Sequence, residues 1–293
     1  MKIGVIGVIG GWSSETLADK FEKKTGTRIL VDLGEIYFDS EKSSVFYKNL
    51  DLMALDALVV KKAGSFYSPD LLERLEILSY LEEKGLTIFS LPNAIKQCVD
   101  RLSCTLILQA GGIPIPPTVI TESIDKALDT VKRFGKVVFK PLYTSKARGM
   151  EVYTSDDEDL KEKIEDYKNS GNKVLYIQKF LNLPGQDLGM AFLGGKYIAT
   201  YARVAGKNSW NTTTRSGGKY EPFEPDENLI EIAHKAQSLF GLDFTSVDIV
   251  ETEDGPMVFE VSAFGGFRGL KSAHGIDAAE LYASYVIEKL ETL

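Results

Sequence analysis

Residues 244–266 read FTSVDIVETEDGPMVFEVSAFGG, and their pattern decides what kind of sheet the chain builds. Two apolar runs, 246–250 and 257–261, flank the turn-rich stretch 252–256, the signature of a β-hairpin. Each run carries one carboxylate at its middle: Asp248 lies between Val247 and Ile249, and Glu260 between Phe259 and Val261. Apolar neighbours on both sides predict largely buried strands, in which a bare carboxylate is costly.

Register decides whether the two acids meet. A two-residue Asp254-Gly255 turn pairs residues whose numbers sum to an odd value and puts the acids on opposite faces, whereas a three- or five-residue loop pairs them directly. Pro256 has no N–H for the ladder, which favours the longer loop, so Asp248 and Glu260 are expected to face each other. Like charges opposite one another repel, so one acid holds a proton or a cation sits between them. Few oxygen ligands, with room left for phosphate and water, suit Mg2+ better than a softer metal. Two solvent-facing acids on a half-exposed ribbon are the plainer alternative.

Working outward, 293 residues have room for two domains or for one with a substantial insertion. A formal charge of −8 with no basic tract argues against nucleic acid as a main partner. Cys98 and Cys104 are too few for a disulfide framework and fit a reducing cytoplasm as packing residues. The apolar run 3–9 is broken by glycines and ended by Ser13-Ser14-Glu15, so it reads as a first strand rather than a signal peptide. No segment is long enough to span a bilayer.

Residues 1–95 alternate strand and helix: strands at 3–9, 29–33, 55–61 and 86–90, a helix at 14–25 capped by Ser13 or Ser14, and an amphipathic helix at 69–84. That order predicts an α/β lead domain with a mainly parallel sheet. A helix at 92–110 and a stiff Pro114–Pro117 linker follow. Strands at 118–120, 137–141, 151–153 and 174–180 with helices at 127–133 and 160–168 make a small mixed sheet. A hairpin across 186–202 turns at Gly194-Gly195, helix 229–240 precedes the opening hairpin, and a helix at 275–289 closes the chain.

Gly4-x-x-Gly7-x-x-Gly10 lacks the dinucleotide-binding spacing and is weak support for NAD. The Gly10-Gly11 turn still makes an anion site as good as it is a plain turn, where a substrate carboxylate docks beside Gly11, Trp12 and Ser13. Lys140 emerges from the buried run 137–139 into Thr144-Ser145-Lys146-Ala147-Arg148-Gly149, a small-residue and basic loop suited to polyphosphate. The strand end at Gln178-Lys179-Phe180-Leu181, with backbone groups left free beside an aromatic, is a weaker purine clamp, and Asp187 could take a ribose hydroxyl. His234 and His274 have no partner at ligand spacing and read as structural.

Lys140 with its loop, Gln178 to Leu181, Asp187, Arg203, the stretch 210–218, Asp248 and Glu260 occur in the order of the ATP-grasp superfamily. The chain resembles the branch of ribosomal-protein and cofactor glutamate ligases over essentially its whole length. GWSSETLADK, FKPLYTSKARGM, SWNTTTRSGG and FEVSAFGGFRG look most like the GAK-system ATP-grasp enzymes, a group associated with an HPr-related protein and a kinase. The resemblance implies an α/β lead domain (1–95) plus an α+β ATP-grasp fold (96–293), with 118–180 as a central lid and 181–293 as a C-terminal subdomain clamping ATP between them.

Carried over position by position, the resemblance implies that Lys140 and Arg101 contact phosphates and that Thr144, Ser145, Lys146 and Gly149 close over the triphosphate. It places Gln178, Lys179, Phe180 and Leu181 around adenine and Asp187 at the ribose. Asp248 and Glu260 hold Mg2+, and Arg203 faces the γ-phosphate. Read from its residues alone, the FGGFR turn at 264–268 either brings Arg268 or backbone N–H groups toward the acyl end of the substrate or is a simple strand-to-helix turn. Three positions depart from the branch: Ser262 replaces the usual metal-binding asparagine, Asn211 the usual catalytic arginine, and Thr213 the usual asparagine. Arg215 then stands in for the missing charge.

The implied activity is an ATP- and Mg2+-dependent carboxylate–amine ligase of the cytoplasm acting through an acyl phosphate. Its acid and amine are small molecules or protein groups, an HPr-related protein among the possible partners. The alternatives are a phosphotransferase on the same scaffold, a non-catalytic ATP-binding regulator and, from the early glycines alone, a nicotinamide-dependent oxidoreductase.

Overall fold

The computed structural model describes residues 1–145, 147–205 and 218–292. At the N-terminus come β1 (Ile3–Gly7), α1 (Trp12–Thr25), β2 (Ile29–Asp32), β3 (Ile36–Asp39), β4 (Ser44–Tyr47), β5 (Leu50–Asp51), β6 (Ala57–Val60), α2 (Asp70–Glu83), β7 (Thr87–Phe89), α3 (Pro92–Val99) and α4 (Arg101–Ala110). Strands β1 and β6 are buried at every residue, as unbroken apolar runs require, and the parallel sheet runs β2-β1-β6-β7. The order β3-β4-β5 forms a small antiparallel sheet that the sequence reading lacks.

Among the helix starts that differ from expectation, two have a clear local cause. Helix α1 is capped by Gly11 with no side-chain bond; Ser14 is buried and its Oγ accepts from Val8 N at 3.1 Å, securing the preceding turn instead. The single helix expected over 92–110 is two. Asp100 is extended (φ −84°, ψ 107°), and its carboxylate accepts from Leu102 N at 3.0 Å, so it caps a new helix that starts at Arg101.

The middle of the chain gives β8 (Thr118–Thr121), α5 (Ile124–Phe134), β9 (Lys136–Phe139), β10 (Glu151–Thr154), α6 (Leu160–Asn169) and β11 (Leu175–Lys179). Its antiparallel sheet, ordered β10-β9-β11-β8, has its own core of Val131, Val137, Phe139, Tyr153, Ile164 and Ile177. The rest comprises β12 (Gln186–Leu193), β13 (Lys196–Val204), β14 (Lys219–Phe223), α7 (Glu227–Ser238), β15 (Phe244–Thr252), β16 (Gly255–Ser262), α8 (Phe267–His274) and α9 (Ala278–Glu291). Its antiparallel sheet runs β14-β13-β12-β15-β16. Two cores join it to the N-terminal sheet: one unites Ile6, Leu58 and Leu78 with Met190, Val247 and Ile249, the other Ile3, Leu17 and Phe21 with Tyr201, Phe244 and Tyr282. The first and last sheets thus form one packed base, and the middle sheet with its separate core projects from it.

The hairpin β15–β16 brings its acids together by a route the sequence reading did not take. The turn is tight: Thr252 pairs with Gly255, Val250 with Met257 and Ile249 with Val258, all odd sums. A β-bulge between Asp248 and Ile249 then leaves Phe259 as the extra residue, and beyond it Asp248 pairs with Glu260 and Ser246 with Ser262. Pro256 is tolerated because β16 is the edge strand of its sheet. The longer loop inferred from Pro256 is therefore corrected, while the facing of the acids stands.

Candidate functional site

A cleft of about 980 Å3 runs between the projecting middle sheet and the base. The strands that border it carry Gln178, Asp187, Arg203, Asp248 and Glu260, with Lys140 just past the end of β9. Three acids, Asp187, Asp248 and Glu260, line it beside a larger number of lysines and arginines, so the cleft is basic within an acidic chain.

At the base wall, Arg203 is held between two carboxylates. Its Nε lies 3.1 Å from each oxygen of Asp187 and its Nη2 bonds Asp187 Oδ2; the same Nη2 lies 2.9 Å from Asp248 Oδ2. Both oxygens of Asp187 are thus spent on fixing Arg203. Asp248 Oδ1 is buried and has no hydrogen-bond partner among the described residues. Burial pushes the Asp248 carboxyl up to about 7, Arg203 pulls it down, and Glu260 opposite adds to the rise.

Across the cleft, Lys140 Nζ donates to Gln178 Oε1 at 2.5 Å and lies 5.1 Å from the centroid of Phe259, the bulge residue. Gln178 is oriented in turn by Thr118 Oγ1 at 3.2 Å and Tyr176 OH at 3.3 Å. Burial first, then Arg101, bring the Lys140 ammonium down to about 7 against the opposing pull of Glu260. Arg101 opens α4 because Asp100 breaks the helix there. Its guanidinium donates to Pro141 O at 3.1 Å and Thr144 O at 3.2 Å, and its Nη1 lies 3.5 Å from Glu260 Oε2. It therefore ties the loop after β9 to the acid pair.

In that loop, Thr144 and Ser145 line the cleft, and Thr144 Oγ1 is buried with no hydrogen-bond partner among the described residues. Gly149 is not among the cleft-lining residues; at φ +64° it turns the chain beside Pro141. Arg148, part of the basic loop expected to meet polyphosphate, lines the cleft as well, with Cζ 4.8 Å from the Phe66 ring centroid. Lys146, Asn211, Thr213 and Arg215 lie outside the described residues. Lys179, Phe180 and Leu181 line the cleft, and of the backbone groups expected to be free there two N–H groups are taken. Lys179 N donates to Pro117 O at 2.8 Å and Phe180 N to Lys136 O at 2.9 Å.

The far end of the cleft holds Gly11, Trp12, Ser13 and Arg268, as well as Ser262 on the acid side. Trp12 lies under two cations, Arg268 Cζ at 5.5 Å and Lys271 Nζ at 5.3 Å from its ring centroid. Lys61, at the end of β6, also lines this end and was missed. Its sequence signal, a lysine ending a buried apolar strand, is the one that singled out Lys140.

Among the described residues no group of three or more His, Cys, Asp or Glu gathers into a metal cage. Two facing carboxylates and one unpartnered buried oxygen on Asp248 still fit a hard cation that takes its other ligands from phosphate and water. The residues present therefore fit Mg2+.

Without ligand, the same burial makes stability depend on pH. The folded protein keeps a proton on Asp248 up to about 7, against roughly 4 for a free carboxyl, so stability falls as pH rises between them. Lys140 loses its proton near 7 when folded, against roughly 10 when unfolded, so stability rises with pH above neutrality. Urea unfolding at pH 5, 7 and 9 should show D248N flattening the acid side and K140M the alkaline side, each by up to about 1.4 kcal/mol per pH unit. Equal slopes in parent and variants would contradict these assignments.

Among the described residues no helix is long and apolar enough to cross a membrane. A model of the RimK-like ATP-grasp domain matches residues 98–286. Tetrahydromethanopterin:alpha-L-glutamate ligase of Methanosarcina acetivorans is 28% identical, with 96% of each chain covered. Glutamate--LysW ligase ArgX of Sulfolobus acidocaldarius is 30% identical over 70% of this chain and 74% of its own. Among solved structures, ATP-grasp ligase PsnB complexed with a phosphomimetic variant of its minimal precursor, Mg and ADP aligns with a TM-score of 0.74. It covers 98% of each chain at 17% identity, a likeness of fold.

Proposed function

Because the chain belongs to the RimK-like ATP-grasp family, we propose that it joins a carboxylate to an amine with ATP and Mg2+ by way of an acyl phosphate. The expected superfamily and fold are borne out, and the chain is an ATP-dependent ligase that forms carbon–nitrogen bonds. The observation that carries the finer reading is the meeting of Asp248, Glu260, Arg203 and Lys140 in one cleft from sheets far apart in sequence. The Mg and ADP bound to PsnB are consistent with it.

In this reading Asp248, Glu260 and Ser262 hold Mg2+, which neutralises charge spreading over the phosphates during transfer. Lys140, already aimed by Gln178, supplies positive charge from the opposite wall, held on it by the phosphates it meets. Arg203, clamped by Asp187, faces the transferred group, and Arg101 holds the loop of Thr144 and Ser145 over it. Lys179, Phe180 and Leu181 line the adenine end. Enclosure by the loop protects an acyl phosphate from water until the amine attacks, with Asn211 and Arg215 assigned to that step. Gly11, Trp12, Ser13 and Arg268 receive the acid or the amine.

The test is mass spectrometry after incubation with ATP, Mg2+, sets of acids and amines, and an HPr-related protein. A condensation product formed together with ADP and phosphate is expected. A phosphorylated acceptor with no condensation selects a phosphotransferase, the reading favoured by the loss of the usual arginine and asparagine at 211 and 213. Nucleotide binding without turnover selects a regulator.

A further inference from the structure

Lys61 is 2% exposed although it carries an ammonium group. Its backbone N–H and that of Lys62 both donate to Ile6 O, at 2.9 and 3.1 Å, which fixes the residue to β1. From there the side chain crosses into the C-terminal sheet layer. Its Nζ donates to Phe264 O at 3.0 Å and Gly265 O at 3.4 Å and lies 4.1 Å from the centroid of the Phe267 ring. Burial, and then Lys62, pull its pKa well below that of a free lysine, and among the described residues no acid offsets them.

A buried ammonium without a counter-ion is costly, and here two main-chain carbonyls and an aromatic face are its compensation. Those carbonyls belong to the short link between β16, which carries Glu260 and Ser262, and α8, which carries Arg268. The link has little slack: a Cβ on Gly265 would stand 2.4 Å from Ser246 Oγ, and Gly266 sits at φ +51°. Thr245 Oγ1 anchors its start by donating to Ser262 O at 2.8 Å.

We propose that Lys61 is a positioning residue, an N-terminal clamp that pins the carbonyls of Phe264 and Gly265 and so sets where Ser262 and Arg268 stand in the cleft. The ligase reading supplies what those residues act on; the clamp itself is independent of it. Trp12, packed under Arg268 and Lys271 of α8, reports the position of that helix. The chain has 2 tryptophans, so W210F leaves Trp12 alone for fluorescence.

In the W210F background, K61M is expected to raise acrylamide quenching of Trp12 about twofold as α8 loses its anchor. With Trp210 intact, K61M should bind ADP with Mg2+ within about twofold of the parent by calorimetry, since the nucleotide contacts are separate. Its turnover of an acid–amine pair accepted by the parent should fall about 100-fold, the cost of a small misplacement. K61Q, which keeps a donor toward one carbonyl, should fall between parent and K61M, and it replaces K61M if that variant does not fold. A folded variant with parental quenching and turnover overturns the proposal. If the parent itself fails to bind ADP with Mg2+, the nucleotide reading is lost and Trp12 quenching still decides the clamp.

Discussion

Asp248→Asn is expected to weaken binding of ADP with Mg2+ by roughly 100-fold, about 2.7 kcal/mol, while leaving ADP binding without metal nearly unchanged. The carboxamide keeps the shape of the side chain and removes the charge that a hard cation needs. Stability without ligand should move little at pH 7, because Arg203 keeps both oxygens of Asp187 and a carboxyl that titrates near 7 is removed. A fall in metal-dependent affinity with an unchanged unfolding midpoint therefore separates a metal ligand from a structural acid. Calorimetry with and without Mg2+ makes the comparison. Equal losses in both conditions would assign Asp248 to holding Arg203 instead.

Lys140→Met is expected to weaken ADP and ATP binding by roughly 30-fold, about 2 kcal/mol, with the protein no less stable than the parent at pH 7. Methionine fills the channel of the lysine stem beside Phe259, and Gln178 keeps its bonds to Thr118 and Tyr176 when the ammonium is gone. The parent maintains a lysine whose pKa is brought down to about 7 by burial, a cost that the phosphates relieve when they bind. A more stable protein that binds nucleotide poorly is the signature of that trade. A destabilised variant with parental affinity would instead make Lys140 a structural residue.

Much of the scaffold was legible because its signals are local. Unbroken apolar runs marked β1 and β6, and alternating strand and helix marked the lead sheet. The facing of Asp248 and Glu260 was foreseen for a reason that fails: turn chemistry cannot report a bulge four residues away, and it is Phe259, not a longer loop, that restores the pairing. The break at Asp100 was missed because the apolar spacing continues across it, although the aspartate that caps α4 was in plain view. The small β3–β5 sheet was missed because strands of two to four residues carry too little pattern.

In the site, residues of one strand end, such as Lys140, were legible, and contacts between distant strands were not. That Asp187 spends both oxygens on Arg203, or that Lys61 reaches Phe264 across 203 positions, depends on how the sheets pack. The free N–H groups expected at Lys179 and Phe180 vanish for the same reason, taken up by Pro117 and Lys136 from neighbouring segments.

The account stands on a divalent cation shared by Asp248 and Glu260 across from Lys140. A crystal of the protein with Mn2+ and a non-hydrolysable ATP analogue, measured at the manganese edge, tests it directly. The predicted result is an anomalous peak between the two carboxylates, with the phosphates on it and the Lys140 ammonium in contact with them. A peak elsewhere, or phosphates bound away from Lys140, would contradict it.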